Sequence, residues 1–485
     1  MFNLQTLFIS LIISANIFAK GSAPPSGSPD EVTEPALRTL AAHVVPTKRQ
    51  VDFQATDFYG FIHLGMNNFT YTINIGTGKE SPKIFDPYFL DTDQWASTVK
   101  AAGMRGMILT TKHHDGFCLW PSNYTDHSVK SAKWRGGKGD IVAMAKASAK
   151  KYGLRFGVYY SLLDMHEGTY GTPAYYNYVI NQLTELLTRY GKIDRLWIDP
   201  AYTGTGKRKE QPGFSRDELM RQITDLVKKI TPDTMINNID YDLQGRPAES
   251  GLVPEPHYNV RRNGNSFSWR PSETVTTMRR LWGSIDYTSF WFTQFYNVIF
   301  TRTNNQLLDV YYRSVGHGTV LVLNLGPDKT GLIPYPDKKQ VTDLGKYLHE
   351  TFSNNLMADA KITASSRKIG YEPENINEGP SYWTTEDGVE SAFIDITLPQ
   401  ARNFDVIGLQ ENIWVGQRIE QFNIEGFDGK RYVKLAEGTT VGYKKLVRLG
   451  KPFTTNKIRI NILRSRVAPT LLKMGLFKQS RMKGL

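Results

Sequence analysis

From about residue 58 to residue 324, short apolar runs alternate with longer segments whose apolar residues return every three or four positions. The short runs are FYGFIHLG (58–65), RGMILTTK (105–112), LRFGVYYS (154–161), DRLWID (194–199), TMINN (234–238) and GTVLVLN (318–324). They are too brief for helices and are bounded by glycine or polar residues, so they predict strands. Between them, DQWASTVKAAG, GDIVAMAKASAKKYG, TPAYYNYVINQLTELLTRYG and SRDELMRQITDLVKKI carry helical spacing. Asp140 and Thr172 stand near predicted helix starts, Pro173 falls in a first turn, and Gly103, Gly153 and Gly191 lie just past predicted ends. Alternation of this kind predicts an α/β fold with a parallel sheet, here a (β/α)8-like (TIM) barrel over residues 46–354. Six strands are visible, so the stretch from 240 to 315 is expected to supply the two that complete the barrel.

The helical run KKQVTDLGKYLHETF ends this region, and the texture then changes. SAFIDITL, DVIGLQEN, QFNIEGF, RYVKLAEG, KIRINIL and LLKMGLFK are short alternating runs parted by Gly, Asp and Asn. They predict an antiparallel β-sandwich domain over residues 355–485, placed to bind glycans or to buttress the barrel. At the other end, MFNLQTLFISLIISANIFA has no charged side chain and predicts a signal peptide cleaved after Ala19 or Ala23. The Pro-, Gly- and Ser-rich stretch that follows predicts a flexible leader to residue 45.

Charge narrows the choice of partners. The net charge of +12 comes from 59 Lys and Arg interleaved with 47 acidic residues, a solvated basic surface without the concentrated stripe of a nucleic-acid binder. No apolar run beyond the export signal is long enough to span a bilayer. Cys118 is the only cysteine, which excludes an intramolecular disulfide and a cysteine-based zinc site. The sequons at Asn68 and Asn123 lie inside candidate active-site segments, where a glycan would obstruct substrate. An exported bacterial protein, periplasmic or extracellular, is therefore expected.

In parallel barrels the chemistry sits where the strands end. The first strand ends in His63, and the second in Lys112, His113, His114 and Asp115. Adjacent strand residues point to opposite sides and Lys112 would repel a cation, so neutral imidazoles that bind hydroxyls are expected here, with neither metal nor cofactor. The third strand ends in Tyr159 and Tyr160, of which one faces the barrel axis. Trp197 and Asp199, two apart on the fourth strand, share a side and place an indole beside a carboxylate. Glycosidic-bond cleavage needs two carboxyl groups. Asp199 is the candidate nucleophile, and Glu249, Glu255 and Glu273 are the candidates for the proton donor.

Taken together, FIHLG, TTKHHDGFCLWPSNYTDHSV, RFGVYYS and LWID resemble glycoside hydrolase family 29, the α-L-fucosidases, and the similarity extends over residues 50 to 480. The resemblance implies a retaining exo-hydrolase that removes terminal α-L-fucose from glycans or glycoconjugates through a covalent intermediate. Its nucleophile matches Asp199, its pocket histidines His63, His113 and His114, its stacking Trp Trp197, and its pocket tyrosine Tyr159 or Tyr160. GTGKESPKIFDP and the GQRI segment resemble the branch that prefers α-1,3- and α-1,4-linked fucose, whose acid/base loop has its best counterpart in RPAESG, pointing to Glu249. SETVTTMRRLWG resembles the broader-specificity branch. The alternatives are a hydrolase for a fucose-like sugar such as α-L-galactose, or a carbohydrate-binding protein that keeps the pocket without catalysis.

Overall fold

The computed structural model describes residues 34–70, 72, 74–200, 210–237, 242–244, 249–264, 266–279 and 290–481. The predicted export signal and the first part of the leader lie outside these residues. Two short helices, α1 (Pro35–Ala42) and α2 (Lys48–Gln54), precede the barrel. The first forms inside the segment that the sequence predicts to be flexible. Its cause is non-local: Ala41 and Ala42 are buried, and Arg38 pairs with Glu420 of the C-terminal domain at 2.8 Å.

Strands β1 (Phe58–Ile62), β2 (Gly106–Lys112), β3 (Arg155–Ser161), β4 (Arg195–Asp199) and β5 (Met235–Asn237) follow in turn. Helices α3 (Thr92–Ala101), α4 (Ile141–Lys151), α5 (Ala174–Arg189) and α6 (Arg216–Ile230) lie between them. A hairpin of β6 (Val260–Asn263) and β7 (Ser266–Trp269) leads to β8 (Glu273–Thr277), α7 (Asn304–Tyr312), β9 (Val320–Asn324) and α8 (Tyr335–Phe352). Asp91 and Asp140 cap α3 and α4 by accepting hydrogen bonds from first-turn amides. Gly103 and Gly153 leave the same helices at φ +78° and +65°, values that favour glycine.

The barrel sheet runs β5-β4-β3-β2-β1-β9-β8, parallel throughout. Alternation divides its residues cleanly between two cores. Tyr59, Phe61, Ile108, Tyr159, Trp197, Met235, Val275, Val320 and Val322 pack inside the curve of the sheet. Ile62, Leu109, Val158, Tyr160, Leu196, Ile198, Leu321 and Leu323 face the helices. Among its described residues, the stretch from 240 to 315 supplies one full strand to this sheet, β8, instead of two. Where a sixth strand is expected, the described residues hold a single bridge, Gln244 to Ser272, and Asp242 accepts a hydrogen bond from the Ile236 amide at 3.0 Å. The sheet is thus an open, half-barrel arrangement with a seam between β5 and β8. Among the described residues a side-chain cap stands at that seam, a contact that apolar periodicity does not register.

The C-terminal domain is a six-stranded antiparallel sheet of β10 (Lys361–Ala364), β12 (Ala392–Gln410), β13 (Ile419–Phe427), β14 (Tyr432–Gly438), β15 (Lys445–Ser465) and β17 (Lys473–Phe477). The short pair β11 (Trp383–Thr384) and β16 (Thr470–Leu471) lies apart from it. SAFIDITL and DVIGLQEN, read as two strands, form one long strand, β12, whose register against β15 shifts between Thr397 and Arg402. Val406 belongs to the barrel's outer core, and Leu446 and Phe477 pack against it, so the two domains share apolar surface.

Candidate active site

The carboxylate of Asp199 stands at the C-terminal end of β4, one layer above Trp197 and two above Arg195. Its Oδ2 accepts a hydrogen bond from the Tyr159 hydroxyl at 2.9 Å and lies 4.0 Å from His114 Nε2. Tyr159 is buried, stacked on Trp197 at 5.3 Å and on the His113 ring at 5.5 Å. Its neighbour Tyr160 points the other way, donates to Gln182 Oε1 at 2.7 Å and lies under the Lys112 ammonium. Of the two tyrosines, Tyr159 therefore faces the barrel interior.

Three imidazoles gather around this carboxylate. His63 follows β1, and its Nδ1 meets Asn324 Oδ1 at 2.8 Å. His113 and His114 follow β2, and His114 Nδ1 meets Ser161 Oγ at 2.7 Å. Burial pushes the His63 imidazole down to about 3 and holds His113 well below the ordinary histidine range. Both rings are neutral at physiological pH, so each can donate one hydrogen bond and accept one.

Trp197, which the resemblance assigns to stacking on the sugar, lies deep in the barrel. It is 2% exposed, sits beneath Tyr159 and donates its indole N–H to Glu273 Oε1 at 2.6 Å. The aromatic beside the imidazoles that is only partly buried is Trp291, whose ring lies 4.9 Å from His63 at an interplanar angle of 33°. Phe292 next to it meets His63 at 5.5 Å and His113 at 4.8 Å. Trp291, Phe292 and Asn324 are missed by the sequence reading, which places Ser161 at the end of the third strand without giving it a role. FWF lies in a stretch without apolar period, and an Asn or Ser at a strand end resembles any strand end.

The three candidate proton donors separate widely. Glu273 starts β8 at the base of the barrel, where its carboxylate pairs with the buried Arg195 guanidinium and accepts from Trp197. Glu255 lies between the domains, paired with Lys445 of β15 and 3.1 Å from His317 Nε2. Glu249 occupies a turn that follows the seam, half-buried, and residues 246–248 of its RPAESG segment lie outside the described residues. Two residues on, Gly251 packs against Thr276 of β8 and Val310 of α7.

Lys112 and Asp115 complete the second strand's end without facing Asp199. Lys112 pairs with Asp164 at 2.8 Å, both fully buried on the helix side. Asp115 accepts from Asn67 Nδ2 at 3.2 Å, and burial pushes its carboxyl up to about 7. Asn68, the first sequon asparagine, is buried and donates to the Thr293 and Pro327 carbonyls, so its side chain is already engaged. Asn123 is exposed.

The arrangement is a carboxylate that accepts from a tyrosine hydroxyl, ringed by imidazoles and aromatic faces, which suits an uncharged, hydroxyl-rich ring. Comparison with known proteins agrees. Residues 46–351 match the family model for α-L-fucosidase. Alpha-L-fucosidase 1 of Arabidopsis thaliana is 33% identical over 460 residues, covering 89% of this chain and 87% of that protein. A crystal structure from Bacteroides thetaiotaomicron, provisionally described as an α-L-fucosidase, superposes with a TM-score of 0.82 at 32% identity, covering 90% of this chain and 98% of that one. A variant of a Ruminococcus gnavus family 29 fucosidase in complex with fucose superposes with a TM-score of 0.80 at 27% identity, covering 93% and 97%. The site, the fold and the similarity along the whole catalytic region lead to one conclusion: the chain belongs to the α-L-fucosidases of glycoside hydrolase family 29.

Proposed function

We propose that the chain is a retaining exo-α-L-fucosidase in which Asp199 is the nucleophile and Glu249 the acid/base. The observation that carries this reading is the Tyr159 hydroxyl on Asp199 Oδ2, with His114 on the same side. That contact orients the carboxylate at the end of β4, where one of its oxygens attacks the anomeric carbon. As that bond forms, the glycosidic C–O bond breaks, and the glutamate gives its proton to the leaving oxygen. The same glutamate then takes a proton from water, whose oxygen attacks the anomeric carbon and releases Asp199.

Glu249 is preferred because the other two candidates lie away from the C-terminal ends of the strands, Glu273 at the base of the barrel beside Arg195 and Glu255 between the domains beside Lys445 and His317. His63, His113 and His114 bind ring hydroxyls, and Tyr159, Trp197 and Trp291 shape the apolar side of the pocket. The fucose in the Ruminococcus gnavus complex supports the same sugar here. The resemblance of the GTGKESPKIFDP and GQRI segments supports α-1,3- and α-1,4-linked fucose as the substrate. The apolar, uncharged first nineteen residues support export.

Asp199→Gly should reduce turnover of an aryl α-L-fucoside at least about 1,000-fold, with azide restoring part of it as the glycosyl azide. Undiminished turnover removes Asp199 from the chemistry. Glu249→Ala should retain activity on an aryl fucoside with a good leaving group and lose it on natural glycans; equal losses on both exclude Glu249 as the acid. Lewis-type and 2′-fucosylated oligosaccharides offered together test the linkage, with the Lewis-type glycan expected to lose fucose first.

A further inference from the structure

An imidazole can serve a sugar hydroxyl as donor or as acceptor, and its partner on the far side decides which. Behind His63 that partner is Asn324, the last residue of β9, itself buried. The Asn324 amide makes two contacts: Nδ2 with the Trp291 carbonyl at 2.7 Å, and Oδ1 with His63 Nδ1 at 2.8 Å. A peptide carbonyl only accepts, so the amide nitrogen must face Trp291 and the amide oxygen must face His63. An oxygen of that kind also only accepts, so His63 Nδ1 carries the ring's hydrogen. In the neutral ring Nε2 is then left with its lone pair.

We propose that Asn324 is a positioning residue that locks His63 in the Nδ1–H tautomer, so that its Nε2 is a hydrogen-bond acceptor and the sugar hydroxyl it meets must be the donor. This rests on the reading of His63 as part of the fucose pocket. The ring has little freedom to escape the lock, because Phe61, Trp291 and Phe292 surround it at 4.5, 4.9 and 5.5 Å. Burial keeps it neutral down to about 3, so protonation does not override the tautomer in the working range. Trp291 is fixed by the same arrangement, its carbonyl by Asn324 and its amide by Asn74 Oδ1 at 3.2 Å. Ser161 acts on His114 by identical logic. The Ser161 hydrogen goes to the Leu163 carbonyl at 2.9 Å, so its oxygen accepts from His114 Nδ1. Two of the three imidazoles therefore carry their Nδ1 hydrogen on a framework partner.

The tautomer can be read on the full-length protein by 13C and 15N NMR of labelled histidine, with the His63 resonances identified by their loss in His63→Ala. The Nδ1–H form is expected in the wild type and a mixture of tautomers in Asn324→Leu, which keeps the shape of the amide but neither polar contact. In competition against an aryl fucoside, L-fucose should bind Asn324→Leu about tenfold more weakly. Asn324→Asp, which preserves the acceptor facing Nδ1, should recover most of that affinity. An Nε2–H ring in the wild type, or equal L-fucose affinity in the wild type and Asn324→Leu, overturns the proposal. Unweakened L-fucose binding by His63→Ala is a different failure, because it removes His63 from the sugar site and leaves the tautomer where NMR finds it.

Discussion

The Tyr159 hydroxyl donates to Asp199, and its ring is held between Trp197 and His113, so the two roles can be separated by deleting a single oxygen. Tyr159→Phe keeps both stacked contacts and removes a hydrogen bond to a charged group, an interaction of about 1.5–3 kcal/mol. It should lower kcat/KM on an aryl α-L-fucoside by about 10- to 100-fold while leaving the melting temperature within about 2 °C. A large drop in melting temperature would assign Tyr159 to packing instead. The residue scale is also where the sequence is read with least trouble. Arg195, Trp197 and Asp199 alternate with Leu196 and Ile198, and that alternation alone puts an indole and a carboxylate on one side of β4. The same rule says that Tyr159 and Tyr160 diverge without saying which turns inward, because that depends on how β3 is registered between β2 and β4.

Among elements, α1 shows what a short helix needs beyond its own sequence. Eight residues make a marginal helix in water. What holds this one is Glu420, a buried carboxylate that pairs with Arg38 of α1 and with Arg464 and Arg466 at the end of β15 and just beyond it. Arg466 is itself buried, its guanidinium 4.3 Å from the Tyr258 ring. Glu420→Ala should cost about 3–5 kcal/mol by leaving that charge uncompensated, and should open the chain at Arg38 to trypsin under native conditions. Unchanged cleavage at Arg38 would show that apolar contacts alone hold α1. The elements that the sequence misreads share a cause. A helix fixed by an acidic residue nearly 400 positions away, and a strand position reduced to one bridge, leave no periodic trace, whereas β1 to β4 and the helices between them repeat their contacts every turn or every second residue.

At the scale of the whole molecule, buried ionisable groups make stability depend on pH from two directions. Burial holds His63 at about 3, His127 at about 4 and His257 at about 3. The unfolded chain binds protons near 6.5 that these folded sites refuse, so their contribution is full above about 6.5 and is lost as pH falls toward 4. Asp115 and Glu411, each pushed up to about 7 by burial, act the other way: their contribution is full below about 4 and is lost as pH rises through 7. Calorimetry should therefore find the highest melting temperature between about pH 6 and 7, falling on acidification. A melting temperature that rises from about pH 6.5 to 4 would contradict the neutral state of the histidines. The seam in the barrel has a consequence of another kind. Asp199 stands on a strand hydrogen-bonded along both flanks, while Glu249 follows a segment that, among the described residues, meets the sheet at one bridge. On the proposed roles, a change of length around Glu249 refits the departing half of the substrate while the strand under Asp199, and the half that holds fucose, stays as it was.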